Sequence, residues 1–189
     1  MMRQTDNQEI EKLKDKLNLI LIALLCSTTL APCAIFYLRG GGEIKYLAVF
    51  IGISYLVSLL SMKFYDRIQI STNLQIYKRL WVHQFKKLST NGDLINRVIR
   101  TKYHTYRQVT NIDAIKEKLN ETYTVERAHT VLFIFCLLTT IYAWWIHSTG
   151  TAVLLMIGNL LFNYYPILLQ QFNRIRYSKV LNNNTDRRT

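Results

Sequence analysis

Residues 159–176 read NLLFNYYPILLQQFNRIR, a stretch apolar enough to enter a bilayer that nevertheless carries Asn, Gln and a Pro and ends in Asn-Arg-Ile-Arg. Placed on a helix at about 100° per residue, Asn159, Asn163, Pro166, Gln170 and Asn173 fall within a strip about 80° wide. An amide left unsatisfied in hydrocarbon costs several kcal/mol, so this face must turn toward protein or a polar cavity. Interhelical hydrogen bonds and the lining of a substrate cavity both satisfy that demand. Asn159 lies deep and reads as packing. Gln170, Asn173, Arg174 and Arg176 approach the end of the apolar run, where a site would meet water.

The remaining apolar residues are gathered in blocks. Four stretches carry no charge: 17–38, 46–62, 130–146 and 151–172. At about 1.5 Å per residue the longer pair reach roughly 33 Å and the shorter pair about 26 Å, against a hydrocarbon core of about 30 Å. The pattern predicts an all-α integral membrane protein with four transmembrane helices, paired as hairpins over 17–62 and 130–172. A cleaved signal is the competing reading of the first block, because lysines precede it and LAPC surrounds Cys33. The block is too long for a signal core, and Pro32 sits where cleavage requires a small residue.

Lys and Arg number 22 in residues 1–16, 63–129 and 173–189, against 2 in the short connections between paired spans. By the positive-inside tendency, both termini and the long segment 63–129 are expected in the cytoplasm. The net charge of +12 is thereby explained as a topology signal with attraction to anionic membrane lipids. No nucleic-acid motif accompanies it, so nucleic acid is not an expected partner. Cys26, Cys33 and Cys136 lie inside apolar blocks and form no CxxC pair, which reads as packing rather than a disulfide framework.

In the basic segment Leu74, Tyr77, Trp81, Phe85 and Leu88 recur at helical spacing among Lys78, Arg79, His83, Lys86 and Lys87. This predicts one amphipathic helix lying in the membrane interface with Trp81 at head-group level. STNGD at 89–93 breaks it, and LINRVIR begins a second short piece. Thr110-Asn111-Ile112-Asp113 has capping-box spacing, and neither Gly nor Pro follows until Gly150. One long helix from about 111 to 146 is therefore expected, half of it below the membrane.

That helix brings Glu121, Glu126 and His129 to the point where it enters the apolar run. Glu126 and His129, three apart, share a face. A carboxylate beside an imidazole at a low-dielectric boundary suits general-base catalysis, while the same residues also suit a helix-end ion cluster. Glu-x-x-His is half of a di-iron helix-bundle motif, but it occurs singly here, and no metal site is expected. P-loop, GxSxG, HExxH and GxGxxG patterns are absent from the sequence.

The segment ETYTVERAH, with Glu121, Thr122, Glu126 and His129, followed by NYYPILLQQFNRIR, with Asn163, Gln170, Asn173, Arg174 and Arg176, resembles the bacterial glycosyl-diaponeurosporenoate acyltransferase family. The resemblance is clearest over about 81–176, and the chain departs from the family pattern at Thr124-Val125, Thr130, Gln171 and Phe172. It implies a multi-pass protein of the bacterial cytoplasmic membrane that moves a fatty acyl group onto the sugar hydroxyl of a carotenoid glycoside or other lipid acceptor. The donor would be acyl-coenzyme A or an acyl-carrier protein, with no further cofactor. The resemblance casts His129 as base, Glu126 and Glu121 as its support, and Asn163, Gln170, Asn173, Arg174 and Arg176 as substrate-binding residues. A membrane scaffold with a protein partner, or a lipid-presenting subunit, remains compatible with the same polar face.

Overall fold

The computed structural model describes residues 4–88, 93–103 and 112–186, with the backbone alone at 4–7, 21, 24–26, 88, 93–96 and 185–186. These residues form α1 (Gln4–Leu38), α2 (Ile44–Ser58), α3 (Met62–Arg67), α4 (Leu74–Arg79), α5 (Val82–Leu88), α6 (Asp93–Lys102), α7 (Ile112–Trp145), α8 (Thr149–Asn159), a π turn (Leu160–Tyr164) and α9 (Tyr165–Asp186). Among the described residues there is no strand.

The long third helix is present as α7, unbroken over 34 residues. The capping residues Thr110 and Asn111 lie outside the described residues. α7 packs against α2, α8 and α9, and α1 packs against α8. Among the described residues two helices are long and apolar enough to cross a membrane, α7 and the continuous rod from Thr149 to Asn184. The other two expected spans are shorter as apolar helices, at Ser27–Leu38 and Ile44–Ser58. The 15 residues of α2 reach only roughly 23 Å.

Side chains in this bundle are arranged apolar outward and small polar inward. Val49, Ile51 and Leu56 on α2, Ile141 on α7, and Leu154 and Ile157 on α8 are exposed, whereas Ser54, Thr139, Thr140, Asn159 and Asn163 are buried. The three inward hydroxyls donate to carbonyls four residues back on their own helices. Such a distribution satisfies polar groups internally and leaves hydrocarbon facing out. At the α1–α2 turn, Gly40 has φ +73°, and a Cβ at Gly42 would lie 2.9 Å from the Tyr37 ring. The turn thus presses against an aromatic cluster of Phe36, Tyr37 and Tyr142, with Tyr46 and Phe50 against it.

The expected interfacial helix over residues 74–88 is two helices. A straight helix would bury Trp81 beside Tyr77, four positions earlier. Instead the chain turns at Trp81, with φ 61°, leaving that residue 67% exposed and placing Val82 fully in the core. A left-handed conformation at a bulky residue is costly, and here it lets both Tyr77 and Val82 pack on α9 with Leu168, Leu169, Phe172 and Ile175. Phe85 stacks on Tyr165 at 5.4 Å, fixing α5 to the start of α9.

The polar strip of residues 159–173 is altered by the π turn. The Tyr165 N–H bonds to the Leu160 carbonyl five residues back, so this turn holds one residue more than an α turn. Pro166, having no N–H, cannot serve the Phe162 carbonyl and prevents an ordinary α register there. Beyond the turn each residue takes roughly the angle its predecessor would have had. Gln171 and Arg174 therefore face inward, 2% and 3% exposed, where a straight helix would have aimed Gln170 and Asn173. The latter two are half-buried.

Inserting one alanine after Pro166 should advance each following residue by one helical position and return Gln170 and Asn173 to the inner face. The expected result is loss of monodisperse protein in size-exclusion chromatography from detergent. Leu161→Ala, which trims an exposed side chain, should elute and melt as the parent does.

Candidate functional site

The register shift brings a charge into the protein interior. Arg174 Nη1 donates to Glu126 Oε2 at 2.5 Å, and Gln171 Nε2 donates to Glu126 Oε1 at 2.8 Å. Glu126 is fully buried. Its carboxylate is satisfied from α9 across the α7–α9 seam, and its hydrogen bonds go there rather than to His129 on its own helix. The rest of the guanidinium is held by the segment between α2 and α4. Nη2 donates to the Tyr65 carbonyl at 3.2 Å, Nε donates to Gln69 Oε1 at 3.0 Å, and Asp66 Oδ1 lies 3.7 Å from Nε. The Tyr123 ring lies under the guanidinium at 4.4 Å, and its hydroxyl donates to Asp66 Oδ1 at 2.8 Å.

Gln171 extends the network. Its Oε1 accepts from the Ile70 N–H at 3.2 Å and lies 3.1 Å from the Tyr77 hydroxyl. That hydroxyl is 3.0 Å from the Ser71 carbonyl and accepts from the Ser71 N–H at 3.2 Å. Burial pushes the Tyr77 phenol above its ordinary pKa, so it stays protonated at neutral pH. The loop after α3 is thus pinned to α9 through one glutamine and one arginine. Arg127 adds a tie from the next position of α7, donating to the Leu60 carbonyl at 3.3 Å.

A second polar group lies one turn along α7. His129 faces the Asn163 side chain and the Phe162 backbone, both in the π turn, while its Nδ1 is buried without a hydrogen-bond partner. The absence of an N–H at Pro166 leaves the Phe162 carbonyl accessible to this ring. Asn163 also donates to Asn159 Oδ1 at 2.8 Å, and Asn159 donates to the Phe133 carbonyl of α7 at 3.0 Å. Asn159 therefore forms the interhelical bond its depth implied, and Asn163 joins that bond to His129.

Of the residues singled out in the sequence, the structure joins Glu126 to Arg174 and His129 to Asn163. Glu121 is ion-paired with Lys118 on the outer part of α7. Arg176 is exposed, its guanidinium 5.6 Å from the Phe172 ring, and Gln170 and Asn173 border the buried network without entering it. Tyr65, Asp66, Gln69, Tyr123 and Gln171 are members that periodicity missed, and Tyr77, which it placed on an apolar helix face, joins them through its hydroxyl. The readable signal for Gln171 was Pro166, whose missing N–H marks the place where the helical angle changes. Among the described residues no group of three or more His, Cys, Asp or Glu is gathered to hold a metal.

The family model for glycosyl-4,4'-diaponeurosporenoate acyltransferase matches residues 61–183. The chain belongs to this family. The matched stretch contains every member of both polar groups, from Tyr65 to Arg174, whereas α1 and α2 precede it. Membership in the acyltransferase family thus coincides with the part of the fold where α3–α5 close over α7 and α9. Comparison with curated proteins and with solved structures finds no match.

Removing one member of the buried pair strands the other charge. Arg174→Met should lower stability by about 3–5 kcal/mol, whereas the double variant Glu126→Leu, Arg174→Met should recover most of that loss. Thermal melts of the purified single and double variants in detergent check this order.

Proposed function

We propose that this chain transfers a fatty acyl group from a thioester, of coenzyme A or of a carrier protein, to a hydroxyl of a glycosylated isoprenoid or another lipid. Family membership supports the reaction class. The observation that carries the assignment of a base is His129, whose ring meets Asn163 and the Phe162 backbone while its buried Nδ1 has no hydrogen-bond partner. An imidazole nitrogen without a donor is the group into which a substrate hydroxyl can place its proton.

In this reading His129 accepts the hydroxyl proton as the oxygen attacks the thioester carbonyl. A C–O bond forms, the C–S bond breaks, and the proton passes from His129 to the departing thiolate, so the ring returns to its starting state. Asn163 positions the imidazole. Glu126 acts through Arg174 and Gln171, holding the α7–α9 seam rigid one turn from the base. Gln170 and Asn173, half-buried at the border of the network, suit hydrogen bonds to the acceptor. Arg176, with Lys78 and Arg79 on α4, supplies exposed cations for donor phosphates or a lipid head group. Glu121 holds Lys118, three residues before it on α7, through their ion pair.

The same reading sets the chain in the bacterial cytoplasmic membrane with both termini and the segment 63–129 in the cytoplasm. The 22 to 2 division of Lys and Arg supports that orientation. The apolar part of α1 and the short α2 would complete a four-helix membrane bundle around α7 and the α8–α9 rod.

His129→Ala should lower ester formation by about 10²–10⁴-fold with the amount of folded protein unchanged, as loss of a general base does. Lipid profiling by mass spectrometry of cells expressing parent and variant checks this. A variant that retains the acylated product removes His129 from the mechanism. Topology has its own check: reporters fused after Thr189 and within Arg39–Glu43 should report cytoplasm and exterior respectively.

A further inference from the structure

Beside the Glu126–Gln171–Arg174 network runs an open groove of about 310 Å³. Val57 of α2, Phe64 and Ile68 around α3, Phe133 and Ile134 of α7, and Ile167 of α9 form its walls. Its polar side chains are Thr130, Tyr164 and Gln171, and the first and last of these are already engaged within the protein. The Thr130 hydroxyl donates to the Glu126 carbonyl at 2.8 Å, and the Gln171 amide is engaged by Glu126, Ile70 and Tyr77. Water held there would lack the two to four polar partners that an ordered site requires. The surface is therefore built for hydrocarbon.

The volume lies at the bottom of the usual range for ligand sites, about 300–1,000 Å³, which admits one slender chain rather than a bulky amphiphile. Gln171 is shared between groove and network. We propose that this groove binds the linear acyl chain of the donor thioester, with the chain passing between α2, α7 and α9 alongside the Glu126 network. The proposal rests on the acyl-transfer reading and specifies where that reaction's chain is held.

Val57, Ile68, Ile134 and Ile167 then act as a ruler for chain length. Filling the groove shortens the accepted chain, and emptying it lengthens the chain. A second apolar groove of about 350 Å³, bordered by Leu30, Tyr37 and Leu38 at the α1–α2 turn, provides a control surface. Leu38 is 82% exposed and distant in the fold from the network, so Leu38→Trp should leave the reaction as it is.

The test uses the full chain in nanodiscs and a palmitoyl-coenzyme A carrying a diazirine near the chain terminus, compared with a phospholipid bearing the same labelled chain. The thioester probe should label peptides containing Val57, Ile134 or Ile167, with labelling reduced at least about tenfold by Ile134→Trp and unchanged by Leu38→Trp. Ile134→Ala should shift the ester products toward longer chains, and it carries the test if Ile134→Trp fails to fold. Equal labelling of these peptides by the phospholipid identifies ordinary lipid contact and overturns the proposal. So does ester formation with the parent chain-length profile in both Ile134 variants. If the thioester labels the groove but the parent makes no ester, the acyl-transfer reading falls while the binding site stands.

Discussion

A guanidinium cannot be carried into an apolar seam between helices unless each of its donors finds an acceptor, and Arg174 imposes that demand on this fold. Burying two ions costs several kcal/mol apiece even after relaxation, and their attraction offsets that cost only with good geometry and full hydrogen bonding. The geometry here is supplied from three directions: Glu126 of α7, Gln69 and the Tyr65 carbonyl of the segment after α2, and the Tyr123 ring below. The short helices α3–α5 consequently cannot lie anywhere along α9. They must bring residues 65–71 to the level of Arg174, and Tyr77, Val82 and Phe85 then pack where that register puts them. The polar network sets position, and the apolar contacts on α9 supply the burial that makes the position stable.

Much of the architecture was legible in composition and period. The blocks without charge mark the helices of the bundle, the absence of Gly and Pro through residues 112–145 marks the long α7, and the amide strip identifies the inner face of the last rod. The segment carrying the acyltransferase likeness is also the segment in which the buried polar groups gather. What was not legible has two physical causes. Angular position along a helix is cumulative, so a single π turn displaced the inner face by one residue, from Gln170 and Asn173 to Gln171 and Arg174. Spacing along α7 put Glu126 and His129 on one face but contained nothing about α9, whose Arg174 is the stronger partner for a carboxylate.

The break at Trp81 is a conflict of the same kind. Helical period favours burying Tyr77, Trp81 and Phe85 together, but α9 offers a surface for Tyr77 and Val82. Packing of two fully buried side chains outweighs local backbone preference, and the chain accepts a left-handed residue at Trp81. The indole is left on the surface beside the basic residues of α4 and α5, as an interfacial aromatic would be, although the helix expected to carry it there is interrupted.

The two polar groups differ in a way that bears on mechanism. In the Glu126 network the buried pair is neutralised and both Glu126 oxygens are engaged, so moving a proton through it would require breaking bonds that hold three segments together. Such a cluster serves position. His129 has the opposite character: its ring rests against the π turn and its buried Nδ1 has no hydrogen-bond partner. A π turn widens the helix by one residue and leaves carbonyls without their ordinary donors, which is why a ring can dock there without competing against a complete backbone ladder. Pro166 makes that vacancy permanent, since no rotation can restore an N–H to it. The proline therefore has two effects from one missing hydrogen: it turns Arg174 inward to meet Glu126, and it keeps the backbone open where His129 rests. The ion pair and the imidazole on this helix pair thus have a common origin, since the register that joins Arg174 to Glu126 also seats His129 against the π turn.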